Sequence, residues 1–168
     1  MLFSINGLLL MTIRPMQSRD AESILRIYGE GIATRLATFE TQIPTWDHWD
    51  RSHLSHSRWV AIDDQDQVLG WAALSPVSSR CAYEGVAELG IYIGEGHRGK
   101  GIGSALMQAI KDSAQSHGLW TIQSSIFREN EASYLLHITH GFREIGYRER
   151  IGQLDGKWLN TTILECRF

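Results

Sequence analysis

Residues 93–103 read Ile-Gly-Glu-Gly-His-Arg-Gly-Lys-Gly-Ile-Gly and form a glycine-rich loop between a predicted strand and a predicted helix. The strand, residues 86–93, alternates apolar side chains, and the helix, residues 102–117, carries an apolar stripe. A helix N-terminus offers unpaired N–H groups and the positive end of the helix dipole. Glycines allow that backbone to come close to a bulky anion. The segment therefore predicts a phosphate-binding loop.

Two common phosphate-binding patterns do not fit this loop. The dinucleotide pattern G-x-G-x-x-G follows a first strand, whereas Gly99, Gly101 and Gly103 are evenly spaced and come after three or four predicted strands. The P-loop pattern G-x-x-x-x-G-K-[ST] is absent from the sequence. The loop therefore predicts a different phosphate-bearing ligand.

The flanking segments predict alternating helices and strands around this loop. We expect a short strand at 13–14, helices at 18–34, 45–55 and 130–140, a strand at 121–126, and hairpins at 59–74 and 142–167. This order is typical of an α/β domain of the α+β kind, with a mixed, mostly antiparallel central sheet flanked by helices.

Length and composition narrow the class of protein. The 168 residues fit one domain, and a net charge of −3 argues against a general nucleic-acid binder. The two cysteines show no metal-type spacing, which indicates no metal site and suits a reducing cytoplasm. Residues 1–10 contain no Lys or Arg, and their apolar run is too short for a membrane span. We expect them to form a poorly ordered extension to a single domain at 11–168.

Two motifs carry a resemblance to a known family. The R-G-x-G-x-G pattern at Arg98–Gly103 resembles the pyrophosphate loop of the GNAT acetyltransferases, which bind coenzyme A. Residues 130–142 resemble the second signature of that family, N-x-x-[SA] followed by x-x-L-[YH]-x-x-x-G-F. The resemblance implies a GNAT fold, acetyl-CoA as co-substrate and no metal. An N-acetyltransferase is the activity that it implies.

The resemblance also implies which residues bind the coenzyme. The backbone of Ile91, Tyr92 and Ile93 would pair with the pantetheine arm as an added strand. The diphosphate would be held by the loop and the first turn of the helix, namely Arg98, Gly99, Lys100, Gly101, Ile102, Gly103 and Ser104. Asn130 and Ser133 complete the predicted set. The alternatives are a solvated turn for the two cations and a plain helix N-cap for Asn130.

Within this family, the chain resembles the phosphinothricin and methionine sulfone (sulfoximine) acetyltransferase branch. The matching segments are Ala-Thr-Phe-Glu-Thr at 37–41, the stretch from Arg80 to Glu88, and Gly-Lys-Trp-Leu-Asn at 156–160. Departures occur at Val86, Leu89-Gly90 and Asn160, where the branch often has other residues. The branch implies a small amino-acid-like amine as acceptor and a homodimer.

An amine must lose its proton before it attacks a thioester, so the site needs a base, and the departing thiolate needs an acid. The resemblance implies Glu88 as the catalytic base and His137 as the acid. The alternative for Glu88 is a surface glutamate that pairs with an arginine. The alternative for His137 is a packed or solvated helix histidine.

The acceptor side of the site is predicted around Arg80. A guanidinium suits a carboxylate, and Phe39, Cys81, Ala82 and Tyr83 would surround the substrate. The alternatives are a solvated arginine and ordinary core aromatics. Lys157 or Trp158 could reach the site of a partner subunit.

Two further functions fit the same motifs. One is acetylation of another amine, such as a polyamine, a different amino acid or a protein N-terminus. The other is a non-catalytic module that binds coenzyme A. Thiol release from acetyl-CoA in the presence of candidate amines separates these possibilities.

Overall fold

The computed structural model describes the backbone of residues 2–5 and 9–168 and the side chains from residue 11 onward. In this part of the chain, eight strands form one sheet with helices on both faces. The strands are β1 (Leu2–Ile5), β2 (Leu9–Pro15), β3 (Arg58–Ile62), β4 (Val68–Pro76), β5 (Val86–Ile93), β6 (Thr121–Phe127), β7 (Arg143–Leu154) and β8 (Lys157–Arg167). The helices are α1 (Ala21–Ala33), α2 (Trp46–Ser52), α3 (Ile102–Ser116) and α4 (Glu131–Thr139).

The strands lie in the order β1-β2-β3-β4-β5-β6-β8-β7. Neighbouring strands are antiparallel except β5 and β6, which run parallel and are joined through α3. A parallel pair needs such a crossover, whereas the antiparallel pairs β3–β4 and β7–β8 are joined by short turns. The predicted α/β fold with a mixed, mostly antiparallel sheet is confirmed.

The parallel pair is short. It joins Val86–Glu88 to residues 121–123 and then stops, although β5 continues to Ile93 and β6 to Phe127. Beyond this point β5 still pairs with β4, and β6 still pairs with β8. The sheet therefore opens between the second halves of β5 and β6.

Each face of the sheet has its own core. On one face, Leu106 and Ile110 of α3 pack with Leu89 and Ile122. On the other face, α1 and α2 bury a second cluster, made of Ile24, Ile27, Trp49, Val60, Val68, Trp71 and Ala73. Burial of these apolar side chains is the main favourable term in folding, and it fixes α3 so that its N-terminus points at the opening.

The closing hairpin of β7 and β8 turns at Asp155 and Gly156, with φ angles of 50° and 76°. Positive φ at both central residues is typical of the tight hairpin turn that follows the twist of a sheet. β7 is the edge strand, and its register shifts twice, after Glu144 and after Arg148. The predicted hairpin is confirmed.

The N-terminal segment differs from the sequence-based prediction in one respect. The strand predicted at 13–14 is longer, since β2 begins at Leu9, and the backbone of β1 pairs with it. Of the predicted extension at 1–10, residues 1 and 6–8 lie outside the described residues. Its poor order stays a prediction. None of the helices in the described ranges is long and apolar enough to cross a membrane.

Candidate active site

A cleft of about 640 Å³ lies where β5 and β6 stop pairing. Its walls are the second half of β5, the glycine-rich loop, the first turns of α3 and α4, and the end of α1. The predicted coenzyme residues that line it are Ile91, Tyr92, Ile93, Arg98, Gly99, Gly101, Ile102, Gly103, Ser104, Asn130 and Ser133. Segments far apart in the sequence therefore meet in one concave site, as a ligand pocket requires.

The exposed edge of β5 forms one wall of this cleft. Ile91, Tyr92 and Ile93 pair on one side with β4, opposite Ala72, Trp71 and Gly70. On the other side, their pairing with β6 has already ended at Glu88. An extended strand with one unpaired edge can accept another extended chain through its N–H and C=O groups. This arrangement fits the amide-containing arm of coenzyme A.

The loop that follows β5 fits a diphosphate. Gly96, Gly99 and Gly101 have φ angles of 79°, 73° and 79°, a region that side chains disfavour. Gly101 is the N-cap of α3 and has no side-chain cap, and the N–H of Ala105 makes the first helical bond to its carbonyl. The N–H groups at the start of α3 therefore stay available for an anion.

The two cations of the loop are placed differently. Arg98 lines the cleft and is exposed, and its Nε donates to the carbonyl of Ile93 at 3.4 Å. The ammonium of Lys100 donates to the carbonyl of Gly96 at 2.7 Å, and Lys100 is not among the lining residues. Neither cation forms an ion pair with a described carboxylate. Arg98 is thus the better placed of the two for a phosphate.

Asn130 holds the opposite wall of the cleft. Its Oδ1 accepts from the N–H of Ser133 at 3.2 Å, so the alternative of a helix N-cap is confirmed. Its Nδ2 donates to the carbonyl of Leu36 at 3.0 Å, in the segment that follows α1. Asn130 therefore joins two walls of the cleft, and its role as a coenzyme ligand stays a prediction.

Glu88 lies at the last pairing position between β5 and β6, opposite Gln123. It is half-buried, and it is absent from the ion pairs of the described residues. The alternative of an arginine-paired glutamate therefore has no support here. Because side chains alternate along a strand, Glu88 shares the α1 face with Gly90 and Tyr92. Glu88 is not among the residues that line the cleft, and its role as the base stays a prediction.

His137 is almost fully buried, at 2% exposure. Its Nδ1 lies 2.7 Å from the carbonyl oxygen of Ser133, and its Nε2 lies 2.9 Å from Oγ of Ser124. Because a carbonyl only accepts, Nδ1 carries the hydrogen, and Nε2 accepts from the hydroxyl. Burial lowers the pKa of the ring below its ordinary value. The alternative of a packed helix histidine is confirmed, and the structure does not place His137 in the cleft lining.

The predicted acceptor residues are not all together. Arg80 precedes a short, exposed 3-10 turn, Cys81–Tyr83, which leads into β5. Tyr83 is 47% exposed and is therefore not a core aromatic. Phe39 instead packs edge-to-face on Phe127 at 4.6 Å, and a Cβ built on Gly152 would lie 2.8 Å from its ring. Phe39 therefore lies between the end of β6 and Gly152 of β7.

Several cleft residues had no signal in the sequence. Gly31, Thr34 and Leu36, from α1 and the segment after it, line the site opposite the loop. His97 also lines it, and its buried Nδ1 has no hydrogen-bond partner. For His97, the one sequence signal for a place in the cleft was its position within the glycine-rich loop. The others reach the cleft through the packing of α1.

Comparison with known proteins agrees with this geometry. The model of the Acetyltransferase (GNAT) family matches residues 25–142. The chain is 36% identical to YwnH of Bacillus subtilis over 92% of this chain and 97% of that protein. It is 30% identical to the L-methionine sulfoximine/L-methionine sulfone acetyltransferase of Pseudomonas aeruginosa, over 94% of each.

A solved structure with bound coenzyme shares the fold. It is the phosphinothricin acetyltransferase of Sinorhizobium meliloti in complex with AcCoA, which is 28% identical and superposes with a TM-score of 0.87. The match covers 94% of this chain and 88% of that one. The chain belongs to the GNAT acetyltransferase family, and it is an N-acetyltransferase that uses acetyl-CoA.

Proposed function

We propose that this enzyme acetylates the amine of a small amino-acid-like compound of the phosphinothricin, methionine sulfone or methionine sulfoximine type. The P. aeruginosa relative and the S. meliloti structure carry these names. The observation that carries the proposal is the exposure of Arg80. Its guanidinium forms no ion pair with a described carboxylate. It stands in the turn that leads into the strand of Glu88, and it can bind the substrate carboxylate.

The coenzyme occupies the cleft in this proposal. The unpaired edge of Ile91–Ile93 binds the pantetheine arm, and the amides from Gly99 to Ser104 hold the diphosphate. Arg98 adds charge, with a smaller contribution from Lys100. Asn130 and Ser133 border the same space. Acetyl-CoA supplies the thioester carbon that the amine attacks.

Glu88 acts as the base in this proposal. Its carboxylate takes the proton that the substrate ammonium must lose, after which the nitrogen attacks and the carbon–sulfur bond breaks. The thiolate then takes up a proton. For His137 to supply it, Nε2 would first have to leave Ser124 and gain a hydrogen, since in the structure it accepts from that hydroxyl. In the resting structure, His137 joins α4 to β6.

The acceptor pocket is bordered by the turn from Arg80 to Tyr83, which includes Cys81 and Ala82. Phe39 packs on Phe127 at the other end of β6 and is not part of this pocket. Both cysteines of the chain are free, which supports a cytoplasmic location for the enzyme.

A homodimer is part of this proposal. Four large apolar side chains are about half exposed on the closing hairpin, namely Ile145, Tyr147, Ile151 and Trp158. β7 is an edge strand, and an edge with exposed apolar residues favours association. The occupant we infer is a second copy, which would bring Lys157 and Trp158 close to the neighbouring site. Size-exclusion chromatography with light scattering tests it, because Trp158→Glu should yield a monomer from a dimeric parent.

A thiol-release screen tests the substrate proposal. The purified chain is incubated with acetyl-CoA and methionine sulfone, methionine sulfoximine, phosphinothricin, common amino acids or spermidine. We expect turnover with the first three compounds and a raised KM for them in Arg80→Ala. Turnover with spermidine alone would support a polyamine enzyme. Coenzyme binding without turnover on any amine would support the non-catalytic module.

A further inference from the structure

Glu30 of α1 contacts the glycine-rich loop across 65 positions of sequence. Its Oε2 accepts a hydrogen bond from the N–H of Glu95 at 2.6 Å. The same oxygen would lie 3.6 Å from a Cβ built on Gly94, so the carboxylate packs against the first residue of the loop. Helix α1 is therefore attached to the loop by a charge-assisted hydrogen bond.

Local electrostatics does not favour a glutamate at this position. Glu30 lies in the last turn of α1, where the negative end of the helix dipole disfavours an anion. It also borders a loop whose ligand carries negative charge. Arg26 offsets part of this cost with an i,i+4 pair at 2.5 Å, but Arg26 is 56% exposed, and such pairs contribute little. The favourable interaction that the Glu30 carboxylate makes at this position is the hydrogen bond that it accepts from the N–H of Glu95.

That contact fixes the start of the loop. The N–H of Gly94 donates to the carbonyl of Leu69 at 2.8 Å, and the N–H of His97 donates to Gly94 at 3.0 Å. With Glu95 bound to Glu30, these three bonds hold residues 94–97 in one conformation. The loop then continues through Gly99 and Gly101 into the cleft. A loop that is already ordered loses less conformational entropy when it binds an anion.

We propose that Glu30 is a positioning residue for coenzyme binding, which holds the phosphate loop in its binding conformation through Glu95. Glu30 touches no reacting atom in this role. The proposal depends on acetyl-CoA binding by the family and not on the identity of the acceptor amine. Failure of the substrate screen would therefore leave it unaffected.

Two substitutions separate the hydrogen bond from the charge. Glu30→Gln removes the charge and keeps an oxygen at the same reach. Glu30→Asp keeps the charge and withdraws it by one methylene from the N–H of Glu95. We expect the dissociation constant for coenzyme A, measured by calorimetry on the full chain, to stay within about twofold in Glu30→Gln. In Glu30→Asp it should rise by roughly fivefold to tenfold, the scale of one hydrogen bond.

A third variant provides the control, because Glu22→Ala removes an exposed carboxylate from the first turn of the same helix and should leave the dissociation constant unchanged. In turnover assays, Glu30→Asp should raise the KM for acetyl-CoA and leave kcat at saturating coenzyme unchanged. The proposal is overturned if Glu30→Asp binds coenzyme as tightly as the wild type. It is also overturned if Glu30→Gln binds as weakly as Glu30→Asp, since the charge would then be the determinant.

Discussion

Glu88 of β5 and Gln123 of β6 form the last pair between these two strands, and the sheet opens beyond them. The same strand thus carries the proposed base at the point of separation and the unpaired coenzyme edge immediately after it. The short parallel pairing therefore places Glu88 three residues before Ile91, where the unpaired edge of β5 lines the cleft. This relationship accounts for the position of the cleft.

The first prediction concerns Glu88. Glu88→Gln should lower kcat by about 100-fold or more, because the amide cannot take the proton of the substrate ammonium. The KM for acetyl-CoA should stay within about twofold, since Glu88 does not line the coenzyme cleft. Steady-state kinetics at saturating acetyl-CoA measure both values, with Glu22→Gln as an exposed control. An unchanged kcat would contradict the assignment of Glu88 as the base.

The second prediction compares the two cations of the loop. Arg98→Ala should raise the KM for acetyl-CoA by roughly tenfold, the effect of losing one charged contact to phosphate. Lys100→Ala should raise it by only about threefold, because the ammonium is already bound to the carbonyl of Gly96. Added salt should weaken coenzyme binding less in Arg98→Ala than in the wild type. Equal effects of the two substitutions on the KM would contradict the smaller role assigned to Lys100 in coenzyme binding.

The third prediction uses two glycines with matched backbones. Gly99 and Gly118 have φ angles of 73° and 78°, and a Cβ on either would meet nothing within 4 Å. Alanine at each should therefore cost a similar amount of stability, about 1 kcal/mol, because the strain is in the backbone alone. Only Gly99→Ala should raise the KM for acetyl-CoA, since only Gly99 lines the cleft. If Gly118→Ala also raised the KM for acetyl-CoA, the effect of Gly99→Ala would be due to lost stability and not to the cleft.

The fourth prediction concerns pH and His137. Burial holds the pKa of this ring below its unfolded value of about 6.5. Below that pH, the unfolded chain binds a proton that the folded ring does not, so stability is lost as the pH falls from about 7 to 5. His53, whose pKa is also lowered by burial, adds to the same slope. Urea unfolding at several pH values measures this dependence.

The variant His137→Gln tests the same residue. It should be less stable at pH 7.5 by about 1–3 kcal/mol, because Ser124 and Ser133 lose a buried partner. Its stability should change less between pH 7.5 and 5.5 than that of the wild type. An identical slope would contradict the buried neutral ring. A kcat reduced 100-fold with unchanged stability would support the acid role predicted from the resemblance.

Much of the fold could be predicted from local pattern. The alternation in Val86–Ile93 and the apolar stripe that follows Gly101 predict the bounds of β5 and α3 to within one residue. The turn at Asp155 and Gly156 is fixed by its own residue types. The predicted first strand was too short, because the pairing of Leu9 with β1 depends on a partner and not on local pattern.

The candidate site was only partly predictable. The coenzyme loop was found because its function depends on backbone and glycines that are contiguous in sequence. The contacts from Glu30 to Glu95 and from Asn130 to Leu36 join residues 65 and 94 positions apart, and no periodicity predicts them. The burial of His137 against Ser124 likewise follows from how α4 packs on β6.

Calorimetric titration of the purified chain with acetyl-CoA tests the central claim most directly, because the claim is that the loop from Arg98 to Gly103 binds the diphosphate. The account predicts saturable binding at one coenzyme per chain, weakened in Gly99→Ala and unchanged in Gly118→Ala. No heat of binding at millimolar acetyl-CoA, from a folded chain, would contradict it.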